Sequence, residues 1–220
     1  MDFVPEAYKA DIKTRHLREL LRYRASVVRM RASVKNKAHA LLTKLNIGNP
    51  YSDLFGKGGI RYLECLELAP VYRQALDGHL TILTTLNAEI RKADERVDRE
   101  SADSPEARLL ESVPGIGRVL SLTILSKIGD INRFHSAKHL ASFAGLVPST
   151  SQSGGPAKHG GITHQGSAWL RWALCEAAMH VVRYPGPLRD FYLKQKKRKG
   201  NKIAREWRSR ASSVPTSTTC

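Results

Sequence analysis

The chain has 220 residues, 41% of them hydrophobic and 25% charged, the balance of a folded soluble protein long enough for one or two domains with a real core. Its 36 lysines and arginines against 20 aspartates and glutamates leave a net charge of +16, which says little about fold and points to a polyanionic partner. Three widely spaced cysteines without a C-x-x-C pair exclude a disulfide framework, the polar start MDFVPEAYKADIK excludes a signal peptide, and Glu176 interrupts WALCEAAMHVV, the most apolar run. A cytoplasmic protein without membrane contact is expected.

From Asp11 to Leu45 there is neither glycine nor proline, and the residues are good helix formers. Leu20, Val27, Val34 and Leu41 recur every seven residues and mark one apolar stripe on a long helix. The other faces carry Arg15, Arg18, Arg22, Arg24, Arg29, Arg31, Lys35, Lys37 and Lys44, with Glu19 the only acid from Arg15 to Leu45. Such one-sided charge suits a phosphate backbone, and Arg29, Arg31 and Lys35 are candidate nucleic-acid contacts. The glycines and proline of NIGNPYSDLFGKGGI break the helix. A second long helix is expected from Pro70 to Arg99, where Leu76, Leu83, Leu86, Ile90, Ala93 and Val97 follow the three-and-four spacing of a coiled-coil seam. The two helices form either an intramolecular antiparallel pair or a dimerisation arm, and the seam favours the arm. Ser104 as N-cap and Pro105 at the first helical position open a compositionally different segment, which places a domain boundary near residue 102.

LLESVPGIGRVLSLTILSKIG, residues 109–129, has the pattern of a helix-hairpin-helix. Gly115 and Gly117 let a hairpin backbone approach a phosphate, the first amides of the next helix face it, and Arg118 and Lys127 lie nearby. The plain alternative is a helix corner whose glycines serve tight packing. Next, Ser136 caps a short helix, a serine- and glycine-rich loop carries Ser149, Ser151 and Ser153, and a helix from Ser167 to Arg183 buries Trp169, Leu170, Ala173, Leu174, Ala177 and Val181. His135, His139, His159 and His164 could ligate zinc only as two separate pairs, and surface exposure or phosphate contact is the simpler account, so no metal site is assigned.

Residues 109–183, with P-G-I-G, FAGLVPS, QSGG, GGIT and GSAWLRWAL, resemble the C-terminal domain of the insertion-sequence-110 transposases, a domain shared by Piv-type DNA invertases. LRELLRYRASVVRMRASVKNKAHALL resembles the helical region that precedes that domain, so the similarity extends over residues 1 to about 204. The resemblance implies an enzyme of DNA transposition and recombination. In such proteins a RuvC-like nuclease domain with metal-binding acids acts with a C-terminal serine on DNA, guided by a structured RNA. By the same resemblance the serine is Ser153, with Ser149 and Ser151 left to turn and cap hydrogen bonds, and Arg171 is a candidate for holding the phosphate.

The departures from the family pattern are also specific. No acid quartet precedes residue 11, His164 stands where the family has lysine, and the tail REWRSRASSVPTSTTC lacks an apolar helical stripe. A truncated copy without the nuclease domain is expected, with Mg2+ required only alongside that domain and no cofactor in this chain. The expected fold is all-α: a basic coiled-coil arm over 1–101, a transposase domain with a helix-hairpin-helix over 102–204, and an aberrant tail over 205–220. DNA, a guide RNA and a second copy in a homodimer or larger oligomer are the expected partners. The alternatives are an inactive DNA-binding fragment that regulates transposition, and a helix-hairpin-helix repair or junction-binding protein.

Overall fold

A computed structural model describes residues 8–151, 153 and 158–199. Helix follows helix in chain order: α1 (Ile12–Lys44), α2 (Lys57–Cys65), α3 (Pro70–Ala102), α4 (Pro105–Glu111), α5 (Arg118–Ile128), α6 (Ala137–Phe143), α7 (Ala168–Val181) and α8 (Pro187–Lys199). The helical expectation holds, and between α6 and α7 lies one small hairpin of β1 (Pro148–Ser151) and β2 (Lys158–Ile162) among the described residues. The serine-rich segment was expected as an irregular loop, but alternate small polar residues pair equally well across two short strands. Among the described residues no helix is long and apolar enough to cross a membrane. The expected 205–220 tail lies outside the described residues.

The chain divides into two compact units, 20–96 and 1–19 with 97–220. Sequence composition placed one boundary near 102, because the polar linker SADSPEAR is visible in sequence whereas the packing of a helix end is not.

Within 20–96 the long helices run antiparallel. Tyr23 donates to Glu89 at 3.0 Å and Arg24 pairs with Asp94 at 2.5 Å, while further along Ala38 and Leu42 share a buried cluster with Leu76. Leu54 and Leu63, from the segment expected only to break the helix, complete that cluster. Gly59 makes this possible, since a Cβ there would lie 2.2 Å from the Leu54 carbonyl oxygen. The supposed interchain seam is buried in the single chain: Leu76, Leu83, Ile90 and Val97 are 0%, 3%, 5% and 1% exposed. A heptad pattern reports an apolar stripe and not whose helix covers it, and here no second chain is needed for that cover.

The other unit is built around α5, which buries Ser121, Leu122, Thr123, Ile124, Ser126 and Ile128. Buried on several faces, α5 needs small hydroxyl side chains to admit close neighbours. Their hydrogens go to Arg118, Val119 and Thr123 carbonyls, and the Ser121 hydroxyl also lies 3.0 Å from Glu111. Ile124 and Ile128 pack with Ala144, Leu170 and Ala173. Arg18 donates to the Ser126 carbonyl at 2.6 Å, and the Arg133 guanidinium lies over the rings of Tyr8, Phe134 and Phe143 at 4.1, 4.4 and 4.6 Å. These two arginines therefore serve the fold. Ser104, Ser136 and Ser167 cap α4, α6 and α7 by accepting from Ala107, His139 and Leu170 amides.

Candidate functional site

Two features of the second unit carry chemistry: the turn from α4 into α5, and the serine hairpin. In the turn, Gly115 has φ +93°, and a Cβ there would lie 2.6 Å from the His180 Cβ and 2.9 Å from the Val181 nitrogen. Its freedom is used to seat the turn against the end of α7. Gly117 differs: it is the N-cap of α5, with extended backbone (φ −95°, ψ 177°), no side-chain cap and open space where a Cβ would go. The first turn of α5, with its partial positive charge, therefore begins at an exposed glycine. Of the two glycines that the sequence offered for phosphate approach, only Gly117 has room for it.

Arg118 follows at the first position of α5, with its Nη1 2.7 Å from the Asp98 carboxylate. Both side chains are about half exposed, and the hydrogen bond that the guanidinium donates to Asp98 raises it above its ordinary pKa. Lys127, at the far end of α5, lies over the Trp169 ring at 5.7 Å. On α1, Lys35 lies over the Phe55 ring at 4.9 Å, and Arg29 and Arg31 are half-buried. The α1 candidates belong to the compact unit 20–96, whereas Gly115, Gly117, Arg118, Lys127, Ser153 and Arg171 all belong to the other.

The hairpin separates the serines. β1 and β2 pair antiparallel with Thr150 opposite His159 and Ser151 opposite Lys158, and an irregularity between Pro148 and Thr150 shifts the register. Ser149 sits in that bulge and donates to the Gly161 carbonyl at 3.1 Å. A Cβ on Gly160 would approach the Ser149 hydroxyl to 2.4 Å, so that glycine makes room for it. Ser151 lies in β1, and Ser153 lies exposed in a bend beyond it. The three serines carry the same hydroxyl, but Ser149 is tied to the Gly161 carbonyl whereas Ser153 is exposed.

The hairpin's base is clamped. Thr163 donates its amide to Val147 at 3.0 Å, and Ser167 donates to Phe143 at 2.8 Å. Arg171 Nη1 donates to the Ala144 and His164 carbonyls at 3.0 and 3.2 Å. Gly145 and Gly166, at φ +67° and +116°, pass so close to Gln165 and Phe143 that a Cβ would lie 2.3 Å from each of those carbonyl oxygens. Arg171, expected to hold a phosphate, thus has one guanidinium nitrogen committed to this clamp. Residue spacing could not have revealed it, because its acceptors are main-chain carbonyls.

Among the described residues no three or more His, Cys, Asp or Glu side chains converge to hold a metal ion. His135 and His139 stack edge to face, centroids 5.6 Å apart, and both are exposed. The described residues therefore offer no carboxylate cluster that would fit Mg2+.

Residues 107–193, from α4 into α8, match the Transposase IS116/IS110/IS902 family. These residues form a domain of that transposase family. Similar proteins include the transposase for insertion sequence element IS1111A of Coxiella burnetii, 25% identical over 79% of this chain and 48% of its own length. The insertion element IS116 uncharacterized 44.8 kDa protein of Streptomyces clavuligerus is 32% identical over 52% of this chain and 29% of its own. The pilin gene-inverting protein of Moraxella bovis is 46% identical over 36% of this chain and 26% of its own. The chain thus spans about half or less of the length of these relatives. Within the transposase domain lie both the α4–α5 turn and the serine hairpin.

Proposed function

We propose that this chain takes part in DNA transposition and recombination, with the transposase domain engaging the DNA backbone through a helix-hairpin-helix at the α4–α5 turn and attacking it with Ser153. The observation that carries the reading is an exposed serine at the end of a clamped hairpin inside a transposase-family domain. In the step assigned to Ser153, its Oγ bonds to phosphorus, the phosphorus–oxygen bond to the neighbouring deoxyribose breaks, and the serine proton passes through a base to the departing oxygen. The serine–phosphate diester retains the bond energy, so a new strand end can displace the serine without an external energy source. Support for DNA as substrate comes from the family match and the net charge of +16. A structured guide RNA, Mg2+ held by other residues and association with a second copy complete the proposed assembly.

The two glycines provide the first test. Gly115→Ala is expected to lower thermal stability, since it places a side chain at positive φ against α7 and costs about 1–3 kcal/mol. Gly117→Ala has ordinary backbone angles and open space, so its stability cost should be confined to a poorer N-cap, about 1 kcal/mol, while duplex DNA binds more weakly. Anisotropy titrations against salt read both effects, and the parent's affinity should fall steeply as salt rises. Parent-like binding by Gly117→Ala would remove the turn from the interface, and no binding by the parent at low salt would remove the reading altogether.

Asp98 provides the second. Its carboxylate occupies Arg118 on the surface where a phosphate is expected. Asp98→Asn should tighten duplex binding about twofold to fivefold at low salt, with the gain fading at high salt. Weaker binding would mean instead that Asp98 aims Arg118 at the backbone.

A further inference from the structure

Helix α8 carries an exposed stripe that the proposed chemistry does not use. Leu188 and Phe191 are 54% and 62% exposed, and Tyr184, just ahead of the helix, is 52% exposed. Leu188, Phe191, Lys194 and Arg198 follow one another at three- and four-residue steps, so they lie along one side of the helix, and all four are exposed. Asp190 is the one acid in α8, against Arg189, Lys194, Lys196, Lys197, Arg198 and Lys199. An aromatic ring in water beside a one-sided run of cations is an arrangement suited to a polyanion that also offers flat apolar faces. Duplex DNA offers the charge but hides its base faces in the stack, whereas an unpaired strand offers both.

We infer that the Leu188–Phe191 stripe of α8 binds an unpaired segment of a DNA strand, with a base stacked on Phe191 and the strand's phosphates drawn to Lys194, Lys197 and Arg198. The inference rests on the proposed DNA strand chemistry, because cutting and exchanging strands frees bases beside the cut, and these need a surface on which to stack. It goes beyond that chemistry by separating two modes of binding: the α4–α5 turn takes backbone from a duplex, and α8 takes bases from a single strand.

The experiment compares the full chain with its variants by anisotropy, using fluorescein-labelled oligothymidylate, a blunt duplex of equal length and oligouridylate. Phe191→Ala should weaken oligothymidylate binding about tenfold and leave duplex binding unchanged. Phe191→Trp should retain the single-strand affinity, while Phe191→Leu, which keeps apolar area without an aromatic face, should behave like alanine. Phe191 is exposed, so the variants should melt like the parent, and a melting curve for each checks this. Equal single-strand binding by parent and Phe191→Ala overturns the inference, as does a preference for oligouridylate. A shift of Leu188→Ala or Phe191→Ala to a smaller species in sedimentation also overturns it, because the stripe would then be covered by a second copy. Should the parent bind neither single strand nor duplex, the proposed function falls with it; should it bind both with Phe191 indifferent, only the assignment to α8 falls.

Discussion

Ser153→Ala is expected to abolish strand exchange, lowering it by about a thousandfold or more, while duplex binding is retained. The assay joins this chain to the remaining length of a longer relative such as the C. burnetii transposase, of which it spans 48%, and the unmutated fusion must recombine for the comparison to stand. The size of the effect follows from the role. A nucleophile has no substitute when its only reactive atom is removed, whereas a residue that shapes a loop leaves the pathway open. Ser149→Ala should therefore reduce exchange only severalfold, through loss of its bond to Gly161, and Ser151→Ala should leave exchange near the parent level. Normal recombination by the Ser153→Ala fusion would return Ser153 to the standing of a loop residue.

The largest expected effect on stability lies in the unit 20–96. Leu83→Asp and Ile90→Asp each remove a large apolar side chain from a site no more than 5% exposed and leave a carboxylate without a partner. The combined loss exceeds about 3–5 kcal/mol per substitution, comparable to the whole stability of many domains. Helical circular dichroism should fall and cooperative melting of the long helices should disappear. Ile82→Asp, one residue away but 48% exposed, should change little. The contrast tests the antiparallel pair against an interchain seam: a seam between copies would give folded monomers on aspartate substitution, whereas helices that cover each other lose their helicity.

Most of the helical skeleton was legible because it depends on local signals. The absence of glycine and proline from Asp11 to Leu45 gave α1 almost residue for residue, and Ser104–Pro105 and Ser136 marked the starts of α4 and α6. Helix α2 was hidden by its own glycines: KGGIRYLEC reads as a breaker, yet Gly59 is required for contact with the Leu54 backbone. The β-hairpin was hidden because Ser, Gly and Lys carry little strand preference and outnumber the one strand-favouring threonine of β1, so the pairing comes from a base fixed by α6 and α7. Helix α8 is hard to read from sequence because six cations mask its apolar stripe. At the candidate site, sequence found the residues but could not sort them. The distinction between Gly115 and Gly117, and between Ser149 and Ser153, lies in what surrounds each one in space.

The seat of Gly115 against His180 and Val181 has a consequence for how such chains can diverge. A turn pressed so closely to the end of α7 leaves no slack on either side. A side chain at 115 is admissible only in a chain whose backbone at 180–181 has also withdrawn, and a helix end at 180–181 that shifts without the turn leaves a hole beneath it. The two stretches, remote in sequence, are therefore bound to drift as one, and a record of their paired changes across relatives would trace this contact without any coordinates.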